Sequence, residues 1–173
     1  GVSNLVGNRP LEKAMQREFD KLGPVSFDDD DKKFAEEIRK SLTKDDIAAS
    51  FERIGQKTPA DLPLCDFVAP LDRYSDGGEG STDVGDVSWV VPTVQARVAT
   101  CAVGTPFHTW QTVAQGKVPA AHKGMVHAAK VMAATTISLF QSPQILEEAR
   151  KIHENMLRKT PYQCPIPAGI NPP

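Results

Sequence analysis

The sequence carries no excess of either charge. Its 20 Lys and Arg against 22 Asp and Glu leave a net charge of −2 over 173 residues, with a pI near 6.1. Nucleic acid and anionic membrane surfaces select basic chains, so neither is an expected partner. Long apolar runs are missing too. The most apolar stretch, Val126 to Phe140, is broken by His127 and Lys130 and falls short of the ~20 residues that a membrane span demands. The opening residues Gly1-Val2-Ser3-Asn4 include no Met and no basic segment leading into an apolar one. A processed product or a fragment without a secretory signal is therefore expected. Cysteine is scarce: Cys65, Cys101 and Cys164 are odd in number and far apart. No redox or metal-binding pair can be read from them, and reduced thiols in a cytoplasmic compartment are the expectation.

What is present is ordinary globular composition, 40% apolar and 24% charged. The length corresponds to one domain at ~150 residues each, enough to bury roughly two-thirds of the unfolded surface. No internal repeat is evident. Proline is the one abundant special residue, at 14.

Helical spacing organises both ends. Asn8 can cap and Pro10 can open a helix carrying Leu11, Met15, Phe19 and Leu22, which Gly23-Pro24 ends. A second helix should start near Asp28, with Asp28 to Asp31 at its positive end and Arg39 and Lys40 at its negative end. Asp28-Asp29-Asp30-Asp31-Lys32 also matches an enterokinase tag. The helix start is favoured, because the run lies inside a continuous helical pattern. A third helix is expected over Lys44 to Ile54, capped by Thr43. Residues 75–83 form a loop by composition. Val87 to Val91 and Val94 to Val103 read as buried strands, being apolar and rich in β-branched residues. Helices follow over Ala120 to Phe140 and Gln144 to Leu157, then the Pro-rich tail 161–173. Helices flanking central strands imply an α/β fold.

Few residues carry an obvious site. Gly77 to Asp86 lacks the Lys of a phosphate loop, and Ser81 lacks the Gly-x-Ser-x-Gly frame of a nucleophile elbow. Asp76, Glu79, Asp83 and Asp86 do not follow calcium-loop spacing. A solvated loop ordered by local side-chain caps is the simpler reading. Among the histidines, His153 sits on a polar helix and is expected to be solvated. His122 and His127 are separated by about 140° of helical rotation and share no face. His108 follows a strand-like segment, in a turn with Thr105, Thr109 and Trp110. Such positions collect ligands in open α/β sheets, so His108 stands open between a functional residue and a merely hydrogen-bonded one.

Three segments carry a resemblance. Gly80-Ser81-Thr82-Asp83-Val84-Gly85-Asp86-Val87-Ser88-Trp89, then Gly104-Thr105-Pro106-Phe107-His108-Thr109-Trp110-Gln111, then Ala121 to Ala133 with its His122-Lys123-Gly124-Met125 core, resemble the B subunits of aminobenzoyl-glutamate hydrolases. The tail Tyr162-Gln163-Cys164-Pro165-Ile166-Pro167 looks like the end of those subunits. They are members of the dinuclear zinc aminoacylase, carboxypeptidase and amidohydrolase superfamily. The resemblance implies the C-terminal half of a three-layer α/β/α zinc-exopeptidase-like catalytic domain. Residues 1–7 would be the last strand of an inserted dimerisation domain, 8–160 the catalytic half and 161–173 the tail.

It also implies roles. His108 matches the final metal-ligand histidine. Ser81-Thr82-Asp83 matches a Ser-Glu-Asp near the site; Thr82 stands where the acid would be, so that acid's role does not carry over. Asp83, Thr105 and Trp110 are candidates for substrate contact or for supporting the site, Trp110 against an aromatic group or as a structural wedge. The complete enzyme would hold two ions, Zn or Mn, and cleave an N-acyl, possibly aminobenzoyl, glutamate or a similar amide with metal-activated water. The other ligands and the glutamate base precede the inserted domain in such enzymes. No catalytic residue is therefore placed in this chain, and the chain alone is expected to be inactive. Its expected partners are the N-terminal half of the same enzyme, a small amide substrate, and a second subunit in a homodimer or heterodimer. The alternative is a non-catalytic scaffold or regulatory chain that keeps the fold.

Overall fold

In the computed structural model, which describes residues 3–52, 62–71, 82–164, 166–167 and 169–170, the first helix starts where its cap predicts. Asn8 Oδ1 accepts from the Leu11 amide at 3.5 Å while its Nδ2 donates to the Ala149 carbonyl at 2.9 Å. Helix α1, Arg9–Leu22, buries Leu11, Ala14 and Met15. It ends at Gly23, whose φ of +72° a side chain would strain. Helix α2, Asp29–Arg39, begins with a reciprocal capping box. Asp28 accepts from the Asp31 amide and Asp31 from the Asp28 amide, each at 3.0 Å. The acidic run is thus a helix start.

Helix α3 is Lys44–Glu52, opened by a Thr43–Asp46 exchange in which Asp46 Oδ2 accepts the Thr43 amide at 3.0 Å and Thr43 Oγ1 the Asp46 amide at 3.1 Å. Its expected end at Ile54 lies outside the described residues. Helix α4 is Asp83–Val90, α5 Trp110–Gln115, α6 Pro119–Gln141 and α7 Pro143–Lys159.

The expected α/β fold is corrected: these seven helices are the regular structure among the described residues, with no strand and no sheet. The C-terminal half of a three-layer α/β/α domain is therefore not what these residues form. Val87 to Val90 belong to α4. Thr82 caps it through the Val84 amide, and Pro92 bars helix at Val91, which is extended. Within α4 the buried residues are Gly85 and Ser88, while Val87 and Val90 are 51% and 63% exposed. The β-branched residues that suggested a buried strand face outward. Residues 94–100 carry no regular structure, because β-branched composition alone makes no strand without a ladder partner. Residues 3–7, expected to be a strand, also join no ladder.

The chain divides into two compact units. One comprises Gly1–Met15, Gly78–Gln95 and Thr135–Pro173; the other comprises Gln16–Gly77 and Ala96–Ala134. In the first unit, residues 3–6 lie along α4. The Val6 amide donates to Ser88 Oγ at 2.8 Å and Trp89 Nε1 to the Asn4 carbonyl at 3.0 Å. A Cβ at Gly85 would collide with the Ser3 carbonyl, so glycine permits this approach.

The second unit has a core of Ala35, Ile38, Leu64, Ala102 and Ala120, flanked by Phe27 and Val118. Lys123 of α6 ties to the start of α2, at 2.6 Å from Asp28 and also against Asp31. Among the described residues no helix is long and apolar enough to cross a membrane.

Candidate functional site

His108 stands on a turn built by side-chain hydrogen bonds. Gly104 turns the chain at φ +96°, packed against Ile47 of α3. The Val103 amide donates to the Pro63 carbonyl at 2.9 Å. Thr105 Oγ1 donates to the Ala102 carbonyl at 2.7 Å. Thr109 and Thr112 both donate to the Pro106 carbonyl, at 2.8 and 2.7 Å. Thr109 stands at the N-cap position of α5, but its hydroxyl ties back to the Pro106 carbonyl and caps no amide of the helix.

Beneath the turn lies Gln115, only 2% exposed. Its Oε1 accepts the Ala102 amide at 2.7 Å, and its Nε2 donates to Thr105 Oγ1 and to the Gln111 carbonyl, each at 3.0 Å. A buried carboxamide with both donors and its acceptor engaged is fully satisfied and hard to displace. Nothing in the local sequence pattern announced it. The sequence suggests only a turn around His108, whereas helix α5 starts at Trp110 and ends at Gln115.

On this base His108 adopts φ +64°, the one left-handed non-glycine residue among those described, and is exposed. Left-handed backbone is uncommon outside glycine, and a strained residue held by its surroundings is a recurrent feature of functional sites. Phe107, Trp110 and Val113 are 66%, 63% and 80% exposed. An exposed imidazole in a segment that also exposes aromatic and aliphatic side chains can ligate a metal or move a proton. Trp110 opens α5, and Thr105 is occupied within the turn.

Asp83 belongs to the other unit, where it occupies the first turn of α4. Its Oδ1 accepts the Val84 amide at 3.1 Å and Thr82 Oγ1 at 3.2 Å. Ser81, Asp76 and Glu79 lie outside the described residues. Asp86 accepts Ser3 Oγ at 2.6 Å and Tyr162 Oη at 2.9 Å. Those bonds hold its carboxyl below the usual range, and the Asp86 contact pushes the Tyr162 phenol up to about 12. The Tyr162 ring stacks on Trp89 at 6.2 Å. The sequence therefore concealed a structural role for Asp86.

The other histidines diverge from one another. His153, expected to be solvated, is buried at 6% exposure with Nε2 2.9 Å from the Ser88 carbonyl. Its helix is polar overall, yet Ala149 and His153, four apart, share the inward face. His122 is exposed, whereas His127 is half-buried with its ring 6.3 Å from that of Phe19. Burial pushes the Cys65 and Cys101 thiols up, away from the reactive thiolate.

A zinc centre normally needs three protein ligands. Among the described residues no three His, Cys, Asp or Glu side chains gather as such a set. His108 offers a single donor, so these residues do not by themselves fit a metal centre.

No family model matches, and no solved structure matches. The B subunit of the p-aminobenzoyl-glutamate hydrolase of Escherichia coli (strain K12) is 38% identical over 180 residues, which cover 98% of this chain. The chain spans 37% of the length of that relative. Over its own length the chain is similar to a C-terminal portion of the p-aminobenzoyl-glutamate hydrolase B subunit.

Proposed function

We propose that the chain is the C-terminal part of an amidohydrolase that cleaves an N-acyl glutamate, of which p-aminobenzoyl-glutamate is the leading candidate. The observation that carries the reading is the 38% identity to a hydrolase subunit over 98% of the chain. The anchored, left-handed, exposed His108 supports it. In this reading residues 8–160 belong to the catalytic domain, 1–7 end an inserted dimerisation domain and 161–173 form the tail. His108 contributes one ligand to a pair of ions, Zn or Mn. The remaining ligands and the base come from a part of the enzyme that precedes this chain. The enzyme works in the cytoplasm with a second subunit, as the relative's designation as a subunit suggests. Phe107 and Trp110, close to His108 in sequence and exposed, would offer apolar surface to an aromatic acyl group.

Two measurements test this reading. In the complete polypeptide that carries this chain, His108→Ala should lower the hydrolysis rate at least about 100-fold and reduce bound metal. The isolated chain, given zinc or manganese and p-aminobenzoyl-glutamate, should release no product. Full activity of the His108→Ala enzyme would favour a scaffold role, and metal-dependent hydrolysis by the isolated chain would contradict the division of ligands.

A further inference from the structure

We infer that Gln115 is the positioning residue of this site, setting the direction in which His108 presents its imidazole. The inference rests on the reading of His108 given above, and its basis is geometric. The Ala102 amide donates to Gln115 Oε1 at 2.7 Å, Gln115 Nε2 donates to Thr105 Oγ1 at 3.0 Å, and Thr105 Oγ1 donates to the Ala102 carbonyl at 2.7 Å. The three residues close a ring in which each polar atom is used in a compatible sense. The second Nε2 proton goes to the Gln111 carbonyl at 3.0 Å. Gln115 therefore grips the chain on both sides of His108, six residues before it at Ala102 and three after it at Gln111. With both ends fixed and Gly104 already turned, the intervening residues have little freedom. Glycine would suit the conformation found at 108, yet a histidine occupies it.

Buried, the Gln115 carboxamide uses both of its donors and its oxygen within this one segment. Aliphatic residues pack such volumes without the cost of desolvating an amide. The carboxamide joins the Ala102 amide, the Thr105 hydroxyl and the Gln111 carbonyl, all of them within the segment that displays His108. Thr105, a sequence candidate for substrate contact, is a member of this ring, since its hydroxyl both donates and accepts inside it.

The test uses the complete polypeptide with p-aminobenzoyl-glutamate, and compares Gln115→Ala, Thr105→Val and His108→Ala with the parent. Misplacing a reacting group by about 1 Å can cost up to 100-fold, so Gln115→Ala should lower kcat by about 10- to 100-fold with KM little changed. Thr105→Val removes one link of the ring and leaves the Ala102 and Gln111 bonds, so its loss should be smaller and of the same kind. In the isolated chain, Gln115→Ala should lower the backbone order parameter at His108 by NMR relaxation, and leave those of α2 and α7 unchanged. Should Gln115→Ala fail to fold, Thr105→Val carries the test alone. Parent-like kcat in both folded variants, or in Thr105→Val where only that variant folds, would overturn the inference if His108→Ala is inactive. A fully active His108→Ala would instead overturn the reading of the site, and the two failures are thereby distinguished.

Discussion

Left-handed backbone costs an L-residue about 1–2 kcal/mol, and glycine escapes that cost at the expense of a freer unfolded chain. His108 at φ +64° bears it while its ring remains exposed. Replacing His108 with Gly should therefore stabilise the isolated chain by roughly 0.5–1 kcal/mol, a rise of about 1–4 °C in Tm. The same change in the complete enzyme should abolish hydrolysis. Thermal unfolding of the two chains checks the first expectation, and a lower Tm for His108→Gly would mean that the ring itself holds the turn. The residue type and its place after Gly104-Thr105-Pro106 were legible in the sequence, as was the resemblance that marked it. The support beneath was not, because Gln115 acts through backbone groups up to 13 residues away and leaves no periodic trace.

Among the elements, α2 and α6 show what a legible pattern looks like. For α2 the cap, the acidic first turn and the apolar spacing agree on Asp29–Arg39, and for α6 a long run apolar on most faces marks Pro119–Gln141. Their ionic tie has a definite pH signature. The hydrogen bond from Lys123 holds the Asp28 carboxyl at about 2, below the ordinary 3.8. A depressed carboxyl stabilises the fold fully above its unfolded value, and that contribution disappears as pH falls from about 4 toward about 2. The same bonds raise Lys123, so the tie loses its charge on the basic side only above the ordinary 10.5. Urea midpoints at pH 5 and pH 2.5 should therefore differ more in the parent than in Lys123→Ala. Equal acid sensitivity in the two chains would show that the tie contributes nothing. Helix α4 is the opposite case. It buries glycine and serine and exposes valine, so the usual link between apolar pattern and burial runs backwards there, and the strand expected over Val87 to Val91 was misread for that reason.

At the scale of the whole molecule, apolar side chains face solvent along α6. Met125, Met132, Ile137 and Phe140 are 60%, 53%, 55% and 77% exposed. Met125 and Met132, two turns apart, share one side of the helix, and exposed apolar surface of this kind marks an interaction face. The isolated chain should therefore self-associate, with a sedimentation coefficient that rises with concentration, and Met132→Glu should weaken the effect. A single monomeric species at every concentration would contradict this. Helix α4 adds a constraint of another kind, on the order of folding. At eight residues it is too short to persist alone in water. The groups that hold it come from far along the chain: Ser3 and Val6 lie 83 and 82 residues away from their partners in it, Tyr162 76 and His153 65. Each of these bonds closes a long loop before it returns any stabilisation. Helix α4 is thus a late arrival, assembled only after both ends of the chain have found their places.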